Sequence, residues 1–267
     1  MAVGSGACMF GAMRLALFTV VLLAGCVGSH PLDPAWRRNR GAPTADASGP
    51  RIRAPWQVIG QSVEGRALRV MRIGDGPRRV LWVGGIHGDE REGQVATANL
   101  PDAFEAIPGA MSQVTLTILE DANPDGSAHS TRTNANGVDL NRNYPAGNYL
   151  PGDGRGARPL DQPEARVLHD LVLAERPHLV VVAHAWRNDH FINFDGPAQR
   201  HAELFSQRSG FRVKPSDKIA PTPGSLGSWV GRTLQVPILT LEYERGTSPM
   251  ANWLDTRDAI LAVILTE

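Results

Sequence analysis

Three apolar segments constrain the fold of this chain most strongly. Residues 80–83, 179–183 and 237–241 are almost entirely apolar, and continuous apolar runs of this length indicate strands that are buried on both faces of a sheet. Segments with helical composition lie between and after them, at residues 94–104, 163–174, 198–209 and 252–265. Alternating strands and helices predict a single α/β domain, with a central mixed, mostly parallel β-sheet and helices on both faces.

Polar residues follow each of the three apolar segments. His87 and Glu90 come after the first, His184 after the second and Glu242 after the third. Ligands in α/β sheets bind beyond the carboxyl ends of strands, so these side chains are expected to meet. Two imidazoles and a carboxylate, with one coordination position open, form a catalytic zinc site. Because no thiolate accompanies them, the set favours one zinc ion over an iron–sulfur cluster, with His87, Glu90 and His184 as ligands.

The remaining segments complete the expected fold. Residues 67–73 and 79–83 are joined by glycine and proline at 74–77, a pattern typical of a β-hairpin. Residues 114–119 alternate as in a strand, and Pro101 is expected to bend the helix at 94–104 or end it early. Residues 121–160 are rich in Gly, Asn, Pro and Arg, and are too long for an idle connection.

Composition, net charge and cysteine positions limit the class of protein that the chain can be. Hydrophobic residues make up 42% and charged residues 20%, as in an ordinary globular protein. The formal net charge is zero, so no basic surface for nucleic acid is indicated. Both cysteines, Cys8 and Cys26, precede the expected domain. An exported domain without disulfides must therefore rely on its apolar core.

The N-terminal segment predicts export. Residues 15–24 are apolar but shorter than the roughly 20 residues of a spanning helix, as in a secretory signal peptide. The sequence Leu-Ala-Gly-Cys ending at Cys26 resembles a bacterial lipobox, and Val27 after it favours the outer membrane. We expect a lipoprotein signal peptide at 1–25, lipidation at Cys26, a flexible tether at 26–54 and a catalytic domain at 55–267. The alternative is ordinary signal cleavage without lipidation.

The order of motifs along the chain resembles a known family. The sequence has His-Gly-Asp-Glu at 87–90, Gly-Val-Asp-Leu-Asn-Arg-Asn at 137–143, His184, and Thr-Leu-Glu ending at Glu242. This order is similar to that of the carboxypeptidase A-like zinc metallocarboxypeptidases. The resemblance covers residues 80–245, which is most of the expected domain.

The resemblance implies a role for each site residue. His87, Glu90 and His184 would bind zinc, and Asp139 would orient His87. Arg132 would face the carbonyl oxygen as it becomes negative, and Asn141 and Arg142 would hold a carboxylate on the leaving-group side. Glu242 would be the general base. The alternatives are that Arg142 forms a structural ion pair and that Glu242 only ends a strand.

Departures from the pancreatic-type pattern indicate a branch of the family. Asp89 stands where those members have Arg, and no tyrosine lies between Tyr149 and Tyr243. Residues 194–198 and 222–229 instead resemble the bacterial murein peptide amidases, which cut the γ-D-glutamyl–diaminopimelate bond of wall peptides. The resemblance implies a murein peptide as the partner, and the lipid-anchored periplasmic protein expected from the N-terminal sequence would meet such peptides.

Two other functions remain open from the sequence. One is a deacylase of small N-acyl amino acids, similar to succinylglutamate desuccinylase and aspartoacylase, which share the zinc ligands and an Asn-Arg pair. The other is a non-catalytic lipoprotein that binds wall peptides through a relic site. Export and the residues around Asn141 argue against the deacylase, and the complete set of ligands and base argues against the relic.

Overall fold

The computed structural model describes Met1 and residues 53–219 and 221–267. Apart from Met1, the expected signal peptide, the Cys26 lipidation site and the tether up to residue 52 lie outside the described residues. Within the described ranges, no helix is both long enough and apolar enough to cross a membrane.

In the described part of the chain, eight strands form one mixed sheet. The strands are β1 (Gln57–Gln61), β2 (Ala67–Ile73), β3 (Arg78–Val83), β4 (Val114–Leu119), β5 (Leu179–Trp186), β6 (Phe191–Asp195), β7 (Arg212–Pro215) and β8 (Ile238–Glu244). Their order in the sheet is β1-β2-β4-β3-β5-β8-β6-β7. Four neighbouring pairs are parallel and three are antiparallel, which confirms the predicted mixed, mostly parallel sheet.

Helices cover both faces of this sheet, as predicted. The described α-helices are α1 (Gln94–Glu105), α2 (Ala110–Gln113), α3 (Pro124–His129), α4 (Pro163–Glu175), α5 (Gln199–Ser209) and α6 (Pro249–Leu265). Helices α1, α5 and α6 share one apolar cluster with alternate residues of the central strands, such as Trp82 and Val181. Helix α4 packs on β1 and β3 from the other face. Leu81 and Val180, whose side chains alternate with those two, lie on this second face and are fully buried.

Two helix boundaries differ from the sequence prediction for local reasons. Helix α1 runs to Glu105, so Pro101 lies inside the helix and does not end it. Helix α6 begins earlier than expected, at Pro249. Ser248 accepts a hydrogen bond from the Ala251 N–H, and a proline in the first turn costs no helical hydrogen bond.

The predicted hairpin at residues 67–83 is wrong. Strands β2 and β3 do not pair, because β4 lies between them, antiparallel to β2 and parallel to β3. The connection instead packs on α2, the short helix that leads into β4, where the N–H groups of Asp75 and Gly76 donate to the Met111 carbonyl at 2.9 and 3.2 Å. Strand β3 is apolar on both faces and therefore takes an interior position between β4 and β5.

Candidate metal centre and active site

A tight turn after β3 places the first two predicted ligands side by side. The Glu90 N–H donates to the His87 carbonyl at 3.2 Å, so both side chains leave the same side of the turn. The turn lies directly on helix α3. A Cβ atom on Gly88 would lie only 1.9 Å from the backbone carbon of Gly126 and 2.1 Å from the Ser127 nitrogen. The path of this turn therefore requires glycine at position 88.

Strand pairing brings the other two predicted residues together. His184 and Glu242 lie within strands β5 and β8 rather than beyond them, because the strands continue to Trp186 and Glu244. The strands are parallel neighbours, and His184 lies opposite Glu242 in their register. Side chains alternate along a strand, so both residues share the face opposite to Ala183 and Leu241, which pack in the apolar core.

His87, Glu90 and His184 converge in a buried cluster. Glu90 Oε1 lies 3.0 Å from His87 Nδ1, and Glu90 Oε2 lies 2.8 Å from His184 Nδ1. One ligand atom from each residue lies within 4.8 Å of the others. Among the residues that the structure describes, this is the one group of three or more such side chains that could hold a metal ion.

The chemistry of this cluster fits zinc. His87 Nδ1 is buried, and no described residue forms a hydrogen bond with it. A buried polar atom without a partner is energetically costly. Burial would raise the pKa of Glu90, but the neighbouring imidazoles of His184 and His87 hold it well below its usual range. A buried carboxylate between two imidazole nitrogens, with no thiolate, is the ligand set of a catalytic zinc site. His87, Glu90 and His184 would hold the ion.

Asp139 orients one of these imidazoles. Its Oδ1 accepts a hydrogen bond from His87 Nε2 at 3.0 Å, which leaves the Nδ1 lone pair directed at the metal position. The same oxygen accepts the Asn141 N–H at 2.9 Å, and Oδ2 accepts from Arg132 Nε at 3.0 Å. Burial raises the pKa of Asp139, but the hydrogen bond and charge of His87 lower it below its usual range.

The long polar segment supplies the predicted substrate residues. Arg132 Nη1 donates to Glu90 Oε1 at 3.0 Å, and its side chain is 42% exposed. The Asn141 side chain lies between two groups: its Oδ1 accepts the Leu226 N–H at 2.9 Å, and its Nδ2 lies 3.3 Å from His184 Nε2. Asn141 therefore contacts a predicted metal ligand directly, which the sequence did not indicate.

Arg142 has a different environment. Its Nη1 donates to the Asn141 carbonyl at 2.7 Å, and it forms no ion pair within the described ranges. Burial lowers the pKa of its guanidinium, and Arg142 lines the same cavity as the predicted metal ligands. A partly buried guanidinium without a carboxylate partner is suited to a substrate carboxylate, and the structural ion pair considered from the sequence is not found.

Glu242 lines this cavity beside the predicted ligands. Burial and the neighbouring Glu90 carboxylate raise the pKa of Glu242 to about 8. Glu244, its nearest competitor for the role of base, lines a separate cavity with His190 and Phe211. Of the two acids near the end of β8, only Glu242 is therefore placed for chemistry at the cluster.

The sequence analysis assigned no role to two cavity residues on strand β6, although Asp195 lies in the segment at 194–198 that it singled out. Strand β6 pairs antiparallel with β8 and contributes Asn193 and Asp195, whose side chains line the cavity. Asp195 accepts hydrogen bonds from Arg232 Nε at 2.8 Å and Ser216 Oγ at 2.7 Å. The sequence places β6 soon after His184, which is a signal that it could lie near the site. The pairing of β6 with β8 is not visible in the sequence.

Comparisons with known proteins agree with this geometry. The Zinc carboxypeptidase family model matches residues 50–206. Murein peptide amidase A of Escherichia coli (strain K12) is 30% identical over 181 residues, which cover 61% of this chain and 70% of that protein.

Solved structures give the same result. The crystal structure of murein-tripeptide amidase MpaA from Escherichia coli O157 matches with a TM-score of 0.67 and 25% identity, over 82% of this chain and 97% of that one. Carboxypeptidase A from Helicoverpa armigera matches with a TM-score of 0.66 and 17% identity, over 78% and 67% of the two chains, and shows the shared fold.

We predict that His184→Ala sharply lowers the zinc content of the purified protein, because it removes one of three ligands. His190→Ala is the matched control, since His190 packs against Phe211 with ring centroids 4.8 Å apart and lies outside the cluster. Metal analysis after dialysis measures both variants. Stoichiometric zinc in His184→Ala together with loss in His190→Ala would reverse the assignment.

We also predict that Gly88→Ala lowers both zinc content and stability. Its Cβ would overlap the backbone of α3, and overpacking of this kind typically costs about 1–3 kcal/mol. Gly147→Ala is the control, because nothing lies within 4 Å of a Cβ there. Denaturant unfolding and metal analysis test this, and equal behaviour of the two variants would contradict it.

Proposed function

Because the chain belongs to the zinc carboxypeptidase family, we propose that this zinc peptidase hydrolyses the γ-D-glutamyl–diaminopimelate amide bond of murein peptides. One observation supports amide hydrolysis most directly: the buried cluster of His87, Glu90 and His184 shares one cavity with Glu242 and Arg142. The similarity to murein peptide amidases, over 70% of one relative and 97% of a solved structure, supports the substrate class.

Zinc at His87, Glu90 and His184 would lower the pKa of a water molecule to about 7 and polarise the substrate carbonyl. The protein supplies the remaining groups. Glu242 would accept a proton from the attacking water and pass it to the departing amine as the carbon–nitrogen bond breaks. A nearby cation favours the ionised form of a carboxyl group. This effect opposes the burial that raises the pKa of Glu242.

Two arginines would bind opposite ends of the reacting group. Arg132 would donate to the carbonyl oxygen as it gains negative charge, and such a contact accelerates the reaction because it strengthens in the transition state. Its Nη2 has no hydrogen-bond partner among the described residues, so it is available for this contact. Arg142, with Asn141 beside it, would hold a carboxylate on the leaving-group side.

The proposed substrate agrees with the location that the N-terminal sequence predicts. We propose that the enzyme is exported and lipid-anchored at Cys26, facing the periplasm, where wall peptides occur. This part of the proposal is supported by the sequence of residues 1–27 alone.

Defined muropeptides test the substrate. We expect the purified zinc-loaded protein to release diaminopimelate-containing products from L-Ala-γ-D-Glu-diaminopimelate, as read by mass spectrometry. N-succinylglutamate and N-acetylaspartate serve as comparison substrates, and we expect little turnover of either. Preferential hydrolysis of those small acyl amino acids would support the deacylase function instead.

Glu242→Gln tests the mechanism. Glutamine keeps the shape of the side chain but cannot accept the proton, so we expect the turnover number to fall by at least about 10²-fold with zinc still bound. Glu244→Gln is the matched control, because Glu244 lines a different cavity. Near-normal turnover of Glu242→Gln with collapse of Glu244→Gln would show that the base is assigned to the wrong acid.

A further inference from the structure

The predicted ligand Glu90 is held by more groups than the metal site requires. Its Oε2 faces His184 Nδ1 at 2.8 Å and accepts the Ala185 N–H at 3.0 Å. Its Oε1 accepts hydrogen bonds from two guanidinium groups, Arg132 Nη1 at 3.0 Å and Arg245 Nη2 at 3.3 Å. Neither the sequence motifs nor the proposed reaction accounts for Arg245.

Arg245 is anchored at both ends. Its backbone N–H donates to the Trp186 carbonyl at 2.9 Å, which extends the pairing of β5 and β8 by one residue. Its guanidinium donates to the carbonyl of Asp89 at 3.2 Å and to Asp89 Oδ2 at 3.0 Å. The side chain therefore joins the end of the strand that carries Glu242 to the turn that carries Glu90.

Arg132 is held differently. It lies in the long polar segment, is 42% exposed and contacts the turn only through Glu90 Oε1, while its Nε donates to Asp139. If the exposed Arg132 side chain turns towards a substrate carbonyl, Glu90 Oε1 loses that donor. Arg245 keeps its place, because its guanidinium is held by two contacts with Asp89, which does not line the substrate cavity.

We infer that Arg245 is a positioning residue that holds the Glu90 carboxylate in place for zinc. Asp89 fixes the guanidinium, and the guanidinium in turn fixes Glu90 Oε1. Partners that orient metal ligands typically contribute 10–100-fold to metal affinity or activity. The inference rests on zinc binding at this cluster and is independent of which peptide is cleaved.

The simpler alternative is a surface ion pair between Arg245 and Asp89 that does nothing for the metal. Side chains of the pair are 35% and 27% exposed, and pairs of this kind contribute little to stability. The free energy of unfolding cannot distinguish the two explanations, because both predict that loss of Arg245 changes it little. Zinc affinity can, since only a positioning role affects it.

The test compares Arg245→Ala and Arg245→Lys with Arg91→Ala. Arg91 lies in the same turn, but its guanidinium donates to the Ser127 carbonyl and Ser130 Oγ and not to Glu90. Apo-protein is prepared with a chelator and titrated with zinc in competition with a chromophoric chelator. The melting temperature of each apo-protein is measured alongside.

We expect Arg245→Ala to weaken zinc binding by about 10–100-fold, with an apo-protein that melts close to wild type. Arg245→Lys should be intermediate, because an ammonium keeps the charge but lacks the fork that spans Asp89 and Glu90. Arg91→Ala should bind zinc as wild type does. Unchanged zinc affinity in Arg245→Ala, or an equal loss in Arg91→Ala, would overturn the inference.

A second variant covers the case in which Arg245→Ala does not fold. Asp89→Asn removes the charge that fixes the guanidinium with little change in size, and we expect it to weaken zinc binding in the same direction. Wild-type affinity in both Asp89→Asn and Arg245→Lys would also overturn the inference. A wild-type protein that binds zinc but leaves muropeptides intact would contradict only the proposed substrate.

Discussion

The buried carboxylate of Glu90 is the interaction on which the site depends. An ionised carboxyl group inside a protein is costly unless it is paired and hydrogen-bonded. Here its side chain is only 4% exposed, and both oxygens have polar partners. These partners come from strand β5, from the long polar segment and from the residue that follows β8. One side chain thus contacts segments that are far apart in sequence, and zinc held at this cluster would add positive charge beside the carboxylate.

The long polar segment at 121–160 can position site residues because side-chain amides form hydrogen bonds with its backbone N–H and carbonyl groups. Asn134 Oδ1 accepts the N–H groups of Asn136 and Val138, each at 3.1 Å. Asn143 is fully buried and its Nδ2 donates to the carbonyl oxygens of Arg155 and Arg158 at 2.9 and 3.2 Å. A buried loop without such partners would leave backbone groups unpaired. The abundance of asparagine in this segment therefore has a structural explanation, because these side chains hydrogen-bond to its backbone.

The sequence predicted the central strands and the metal cluster because both leave local signals. Continuous apolar runs identify strands buried on both faces, and a polar residue at the end of such a run has no role in the core. What it could not predict is pairing between distant segments. The residues at 74–77 correctly indicated a turn, but they did not indicate which strand would pair with β2. The hairpin prediction failed because β4 lies between β2 and β3. Strand β6 and the contact from Arg245 to Glu90 were missed for the same reason.

The environment of Glu242 connects the metal cluster to the base. Burial and the charge of Glu90 raise the pKa of Glu242 to about 8, which favours the protonated form of this carboxyl group. A zinc ion held by His87, Glu90 and His184 would oppose this effect and favour the ionised form of Glu242. Because β5 and β8 are in register at His184 and Glu242, the metal position and the base are set by the same strand pair. In the proposed mechanism, a metal ion at the cluster would therefore favour the form of Glu242 that can accept a proton.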